Sequence, residues 1–122
     1  MRNLGQLEAV IMDRLWSATE PLSVRDVADT LSDDQSRAYT TVMTVLDNLF
    51  RKSFVTRELS GRAYRYRPVH SREQHTASVM EELLSAGGDR GATLLHFVEQ
   101  MSADEASKLQ EALRQHSEDN GT

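Results

Sequence analysis

At 122 residues, 39% of them hydrophobic and 27% charged, the chain has the size and balance of one globular domain, or of one domain with a helical appendage. There is no cysteine, which excludes disulfides, thiolate metal centres and thiol nucleophiles; no apolar run reaches the roughly 18 residues of a membrane span, and MRNLGQLEAV lacks the regions of a signal peptide, so a cytoplasmic protein is expected. The net charge of −5 conceals an inversion: residues 35–70 hold seven basic side chains (Arg37, Arg51, Lys52, Arg57, Arg62, Arg65, Arg67) against Asp47 and Glu58, a window of +5 in a remainder of −10.

Leu4, Leu7, Ile11, Leu15 and Ala18 recur at three- and four-residue spacing, which predicts an amphipathic helix over about residues 5–18, widened by Met12 and Trp16. Pro21 stops it and biases Glu20 toward extended backbone. Ser23 is the expected N-cap of a second helix, VRDVADTLS, whose apolar face is Val24, Val27, Ala28 and Leu31. SDDQSR reads as a loop.

A third helix is predicted from Ala38 to Lys52. With Val42 as zero and 100° per residue, Val45, Leu46 and Leu49 fall within about 60° of it and form a core stripe. Thr40, Met43, Thr44, Asp47, Asn48 and Arg51 point the other way. Short hydroxyls and amides ending in a guanidinium suit a helix laid in a DNA major groove. Any solvated helix face is polar, but two helices before this one and a basic hairpin after it favour the nucleic-acid reading. In FVTRELS, Phe54, Thr56 and Glu58 alternate with Val55, Arg57 and Leu59; Gly61 permits a tight turn, and RAYRYRP returns. Tyr64 and Tyr66 are expected to pack the hairpin on the helices. Arg62 at the tip and Arg65 on the outer face are placed for phosphate or minor-groove contact. The order helix, helix, helix, two-stranded wing is that of a winged helix-turn-helix, so the fold class is mainly α with a small β wing.

The remainder is acidic, net −6 over residues 71–122. Ser71 with Gln74 and Ser102 with Glu105 are capping-box patterns. The first opens a helix with Met80, Leu83 and Leu84 on one edge, ended by Gly87 and Gly88; GATLLHFVEQM supplies Leu94, Leu95, Phe97, Val98 and Met101; the second opens a last helix with Ala106, Leu109 and Leu113, fraying after His116. Three short helices cannot bury enough surface alone. Pairing with a second copy is favoured over folding back, because one winged helix makes few base contacts and two copies bind bivalently. The expected organisation is a DNA-binding domain over residues 1–70 and a helical dimerisation region over residues 71–122.

LEAVIMDRLW, AYTTVMTVLDNLFRKSFV, GRAYRYRPV, LLHFVEQM and ADEASKLQEAL together resemble the penicillinase-repressor family, most closely its mycobacterial members. The resemblance implies a homodimeric transcriptional repressor on a palindromic double-stranded DNA operator, with Thr40, Thr41 and Thr44 as recognition-helix contacts and Arg62 as the wing arginine. No cofactor and no metal are expected, since no convergent polar cluster or metal-site pattern occurs in the sequence. Asp47 and Asn48 depart from the family pattern; Asp47 could accept from a cytosine amine or tether Arg51 four residues on. Relatives are switched off by proteolysis at an Asn-Phe bond, by a membrane sensor protease in some, and the matching bond here is His96–Phe97. A β-lactamase or related gene is the implied target.

Three alternatives fit the sequence less well. An enzyme is disfavoured because His70, His75, His96 and His116 are scattered and no phosphate loop, G-x-S-x-G or H-E-x-x-H occurs; His96 is expected to be a partly buried structural residue. A winged helix used only for protein contact would carry a more neutral hairpin. Metal sensing, as in copper-responsive relatives, lacks the cysteines it needs.

Overall fold

The computed structural model describes residues 4–31 and 39–120. Its elements run α1 (Gln6–Ser17), β1 (Leu22–Ser23), α2 (Val24–Thr30), α3 (Tyr39–Arg51), β2 (Val55–Ser60), β3 (Ala63–Pro68), α4 (Arg72–Ala86), α5 (Arg90–Glu99) and α6 (Ala103–Asp119). The chain divides into two compact units, one reaching to Met80 and the other starting at Glu81.

The first unit has a single core. Ile11, Met12 and Leu15 of α1 meet Val24 and Val27 of α2, Leu31 just beyond it, and Val42, Leu46 and Leu49 of α3, while Phe54, Val55 and Tyr66 close it from the hairpin. The stripe read from the third helix is the buried one, with Val45 at its margin. The expected loop of residues 32–37 and the expected helix start at Ala38 lie outside the described residues. Ser23 caps α2 through a reciprocal pair: its Oγ accepts the Asp26 N–H at 3.1 Å, and its own N–H donates to Asp26 Oδ2 at 3.0 Å. Ser53, in the left-handed region at φ +68°, turns the chain out of α3, and Gly61 at φ +65° makes the tip of the hairpin.

Two details depart from the sequence reading. The wing is three-stranded, order β1-β3-β2 and antiparallel throughout, because Leu22 and Ser23 pair with Tyr66 and Arg65. A two-residue strand is too short to show alternation. And only Tyr66 is core: Tyr64, opposite Leu59 toward the tip, is 43% exposed.

The start of α4 belongs to this unit. Ser71 and Gln74 form the predicted box, with the Ser71 N–H donating to Gln74 Oε1 at 2.8 Å and the Gln74 N–H to Ser71 Oγ at 3.0 Å. The Trp16 indole N–H donates to the His70 carbonyl at 2.9 Å, the Arg72 guanidinium reaches Asp13 at 2.5 Å, and the His75 ring lies between Trp16 and Phe54.

In the second unit Asp89, not singled out from the sequence, caps α5 by accepting the Ala92 N–H at 3.1 Å, and Ser102 with Glu105 caps α6 as predicted. The last helix continues past His116 to Asp119 rather than fraying there, since Arg114 reaches both Glu111 and Glu118 on neighbouring turns. No side chain of α4, α5 or α6 is buried.

Candidate nucleic-acid interface

The core stripe of α3 fixes what its other face presents. With Val42, Leu46 and Leu49 fully buried, Thr40, Thr41, Met43, Thr44, Asn48 and Arg51 are all exposed, while Asp47 is half-buried. The Thr44 hydroxyl donates to the Thr40 carbonyl at 2.9 Å, the back-bonding available to a helical threonine. Its proton is therefore committed, and what Thr44 offers outward is a methyl group and a hydroxyl oxygen able to accept.

Beside this face the wing forms a groove of about 450 Å³, lined by Met43, Thr44, Asp47, Asn48, Arg51 and Arg57 with the two tyrosines. Arg57 is its organising residue, and sequence reasoning did not single it out. Strand pairing sets Arg57 opposite Tyr66 on the helix-facing side of the hairpin. Its guanidinium lies over the Phe50 ring at 4.1 Å and the Tyr64 ring at 4.4 Å, and reaches Asp47 Oδ1 at 3.5 Å. A hydrogen bond with Tyr66, opposed by desolvation, holds the Arg57 pKa above its ordinary value, so it stays cationic. The signal was present in the alternation: an arginine in register with Val55 has to face the helices, and only aromatic faces and a carboxylate can receive it there.

The other basic side chains of the window separate into paired and unpaired. Arg51 binds Asp47 Oδ2 at 2.6 Å and Lys52 binds Glu8 at 2.8 Å. Arg65, expected free on the outer face, donates to Asp26 Oδ2 at 3.2 Å and toward the Pro21 carbonyl at 3.4 Å, tying β3 to the start of α2. No described carboxylate pairs with Arg62 at the tip or with Arg67 on the outer face of β3. Arg37 lies outside the described residues.

Residues 4–115 of the sequence match the penicillinase repressor family. The chain belongs to that family. It is 47% identical over 116 residues to the transcriptional regulator BlaI of Mycobacterium tuberculosis, in strains CDC 1551 / Oshkosh and ATCC 25618 / H37Rv alike, spanning 93% of this chain and 84% of that protein. In fold it resembles a MarR family protein from Bacillus stearothermophilus, with a TM-score of 0.50 and 18% identity over 99% of this chain and 78% of that one. The A103V mutant of MepR from a multidrug resistant S. aureus clinical isolate gives 0.50 and 16%, over 98% and 80%. This penicillinase repressor is thus a transcriptional regulator with a winged-helix fold, and not an enzyme.

In the second unit of the repressor, the residues expected at a subunit contact lie open. Leu83 is 69% exposed, Leu95 60% and Leu113 59%, with Leu94, Phe97 and Val98 also exposed and Leu84 and Leu109 half-buried. His96, expected to be partly buried, is instead on the surface, its Nδ1 3.1 Å from Glu99. It sits one helical turn from that carboxylate on a helix exposed all round, which the apolar run did not reveal. Among the described residues no cluster of three or more potential metal ligands occurs and no helix is long and apolar enough to cross a membrane.

Proposed function

We propose that this repressor acts as a homodimer on a palindromic operator, each subunit laying α3 in a major groove and its wing along the adjacent backbone. The observation that carries this is the outward face of α3: small, polar, unencumbered by packing, and flanked by the groove and the wing arginines. Thr40, Thr41, Met43, Thr44 and Asn48 are assigned to base edges; Arg51, Arg62 and Arg65 are assigned to backbone. The back-bonded Thr44 suits a thymine methyl or an amine donor. Leu83, Leu84, Leu94, Leu95, Phe97, Val98, Leu109 and Leu113 are assigned to the contact between subunits, since a leucine-rich surface of this extent marks an interaction site. With three or four phosphates neutralised per subunit, the logarithm of affinity falls with a slope of about −6 against the logarithm of salt concentration.

Release is assigned to cleavage at His96–Phe97 by a membrane sensor protease, on the family resemblance. The bond is inside α5, which buries no side chain within its own subunit, so a protease reaches it when the subunit contact opens. Cleavage there removes α6 from the subunit contact and returns each winged helix to monomer-level affinity. A β-lactamase or related gene is the proposed target.

The test of DNA readout is a pair of substitutions titrated against a duplex selected by the repressor from a randomised pool and against its scrambled counterpart. Thr44→Ala lowers affinity for the selected duplex by about ten-fold, the low end of a base contact, and barely changes the scrambled one. Arg62→Ala weakens both by similar factors. Equal losses for Thr44→Ala on both duplexes remove it from the base-reading set.

A further inference from the structure

Asp47 is out of place on a DNA-facing surface. A carboxylate on the outward face of α3 meets the phosphate field of any duplex, and the helix would bind more tightly without it. Its surroundings give it another task. Asp47 Oδ2 accepts from Arg51 at 2.6 Å, and Asp47 Oδ1 lies 3.5 Å from Arg57. One carboxylate therefore holds two guanidiniums, one from the helix and one from the wing, at the floor of the groove between them. The two partners differ. Arg57, 25% exposed, is also held by the Phe50 and Tyr64 rings, whereas the Arg51 side chain is 72% exposed and pairs, among the described residues, with Asp47 alone. An exposed pair one turn apart is a weak restraint, easily surrendered to a phosphate.

We propose that Asp47 is an internal stand-in for DNA phosphate: it occupies Arg51 and Arg57 in the free repressor and sets a ceiling on the affinity for every sequence, without reading a base. Counting the described cations of the basic window shows how much this matters. Lys52 is engaged with Glu8, so Arg51 and Arg57 are two of the five described arginines of the window left to meet DNA, the others being Arg62, Arg67 and the Asp26-tethered Arg65. A repressor has to leave its operator and search past non-operator DNA, and sequence-independent affinity is the term that a resident carboxylate reduces. This inference rests on the proposed docking of α3, but not on the identity of the operator.

The test is Asp47→Asn, which is near-isosteric and retains an oxygen to accept from either arginine. Titrated against the selected duplex and its scrambled counterpart, the variant gains roughly five-fold per subunit on both, and its salt slope steepens by about one per subunit. Adding Arg51→Ala shrinks the gain, because one of the two released guanidiniums is gone. An unchanged thermal midpoint establishes that the groove has not collapsed. Loss of affinity on the selected duplex alone overturns the inference in favour of base reading by Asp47. Unchanged affinity and slope overturn it in favour of a surface pair with no role. The underlying reading fails separately: wild-type repressor that does not distinguish selected from scrambled duplex refutes specific docking of α3, while the scrambled-duplex titration still decides the role of Asp47.

Discussion

The two units of the repressor use their apolar side chains in opposite ways. Twelve apolar side chains are buried between Ile11 and Tyr66, whereas α4, α5 and α6 bury none although they carry Leu83, Leu84, Leu94, Leu95, Leu109 and Leu113. The winged helix can place its whole core among its own elements because a sheet edge, three helices and the Phe54–Val55 corner surround one point. The C-terminal helices leave Leu83, Leu94, Leu95 and Leu113 exposed, and under the proposed homodimer their hydrophobic free energy is realised against the second subunit. The first unit thus has its own core, and in the proposed dimer the second contributes half of a shared one.

The largest effect follows from uncovering that half-domain permanently. Leu95→Glu combined with Leu113→Glu places charge on the open face of α5 and of α6, where a subunit contact would have to desolvate it. Sedimentation should show a monomer, and affinity for the selected duplex should fall by about 100-fold or more as bivalency is lost. A variant that stays dimeric would place the contact elsewhere. The thermal transition of the winged helix should persist in the monomer, as expected of a unit with its own core.

The complementary change attacks the first unit. Leu46, fully buried on α3, loses about 2–5 kcal/mol of stability on substitution by alanine. Leu83→Ala, tested in the monomeric background, should cost less than about 0.5 kcal/mol, because an exposed leucine has little burial to lose. Urea unfolding of the two variants measures the contrast directly. Similar costs at the two positions would mean that the C-terminal helices already bury their leucines within one chain.

What could be read from the amino-acid order follows the same division. The α3 stripe, the Ser23, Ser71 and Ser102 caps and the Gly61 turn were all legible, because periodicity and capping are local and a few residues suffice to specify them. β1 was not legible, since a strand of two residues exists only through its pairing with β3. Tyr64 and Arg57 form a second case. Both lie on the helix-facing side of the hairpin, but the core ends before the tip, so Tyr64 stays exposed and its ring receives a guanidinium instead. The pairing of Arg65 with Asp26 joins residues 39 apart, and spacing in sequence carries no sign of it. At the candidate interface, then, the outward residues of α3 could be named in advance. Which of the neighbouring cations are free to meet DNA depended on tertiary carboxylates.

The smallest expected effect contrasts two ion pairs. Glu8 and Lys52 join α1 to the end of α3 at 2.8 Å, the Glu8 side chain being only 12% exposed, whereas Arg90 and Glu81 pair at 2.9 Å on an open surface. Burial acts to raise the Glu8 pKa, but the hydrogen bond from Lys52, the Gly5 N–H and the Lys52 charge outweigh it and hold the carboxyl below its ordinary 4.5. Glu81 is also held low, by the hydrogen bond and charge of Arg90, on an exposed side chain. The sign follows from proton uptake. Above 4.5 Glu8 is ionised in both folded and unfolded chains and the pair contributes fully; as pH falls below that value the unfolded chain takes up the proton first, and the contribution disappears as pH drops through the depressed folded pKa. Glu8→Gln should therefore lower stability by about 0.5–1 kcal/mol near neutrality, the upper range for a partly shielded pair, and by progressively less in acid. Urea midpoints of wild type and variant, both in the monomeric background, should converge as the solution is acidified. High salt should diminish the effect of Glu81→Gln well before that of Glu8→Gln, because solvent screens the open pair and not the enclosed one. A difference between wild type and Glu8→Gln that is as large in acid as at neutrality would mean that Glu8 contributes through packing and its contact with Gly5, not through its charge.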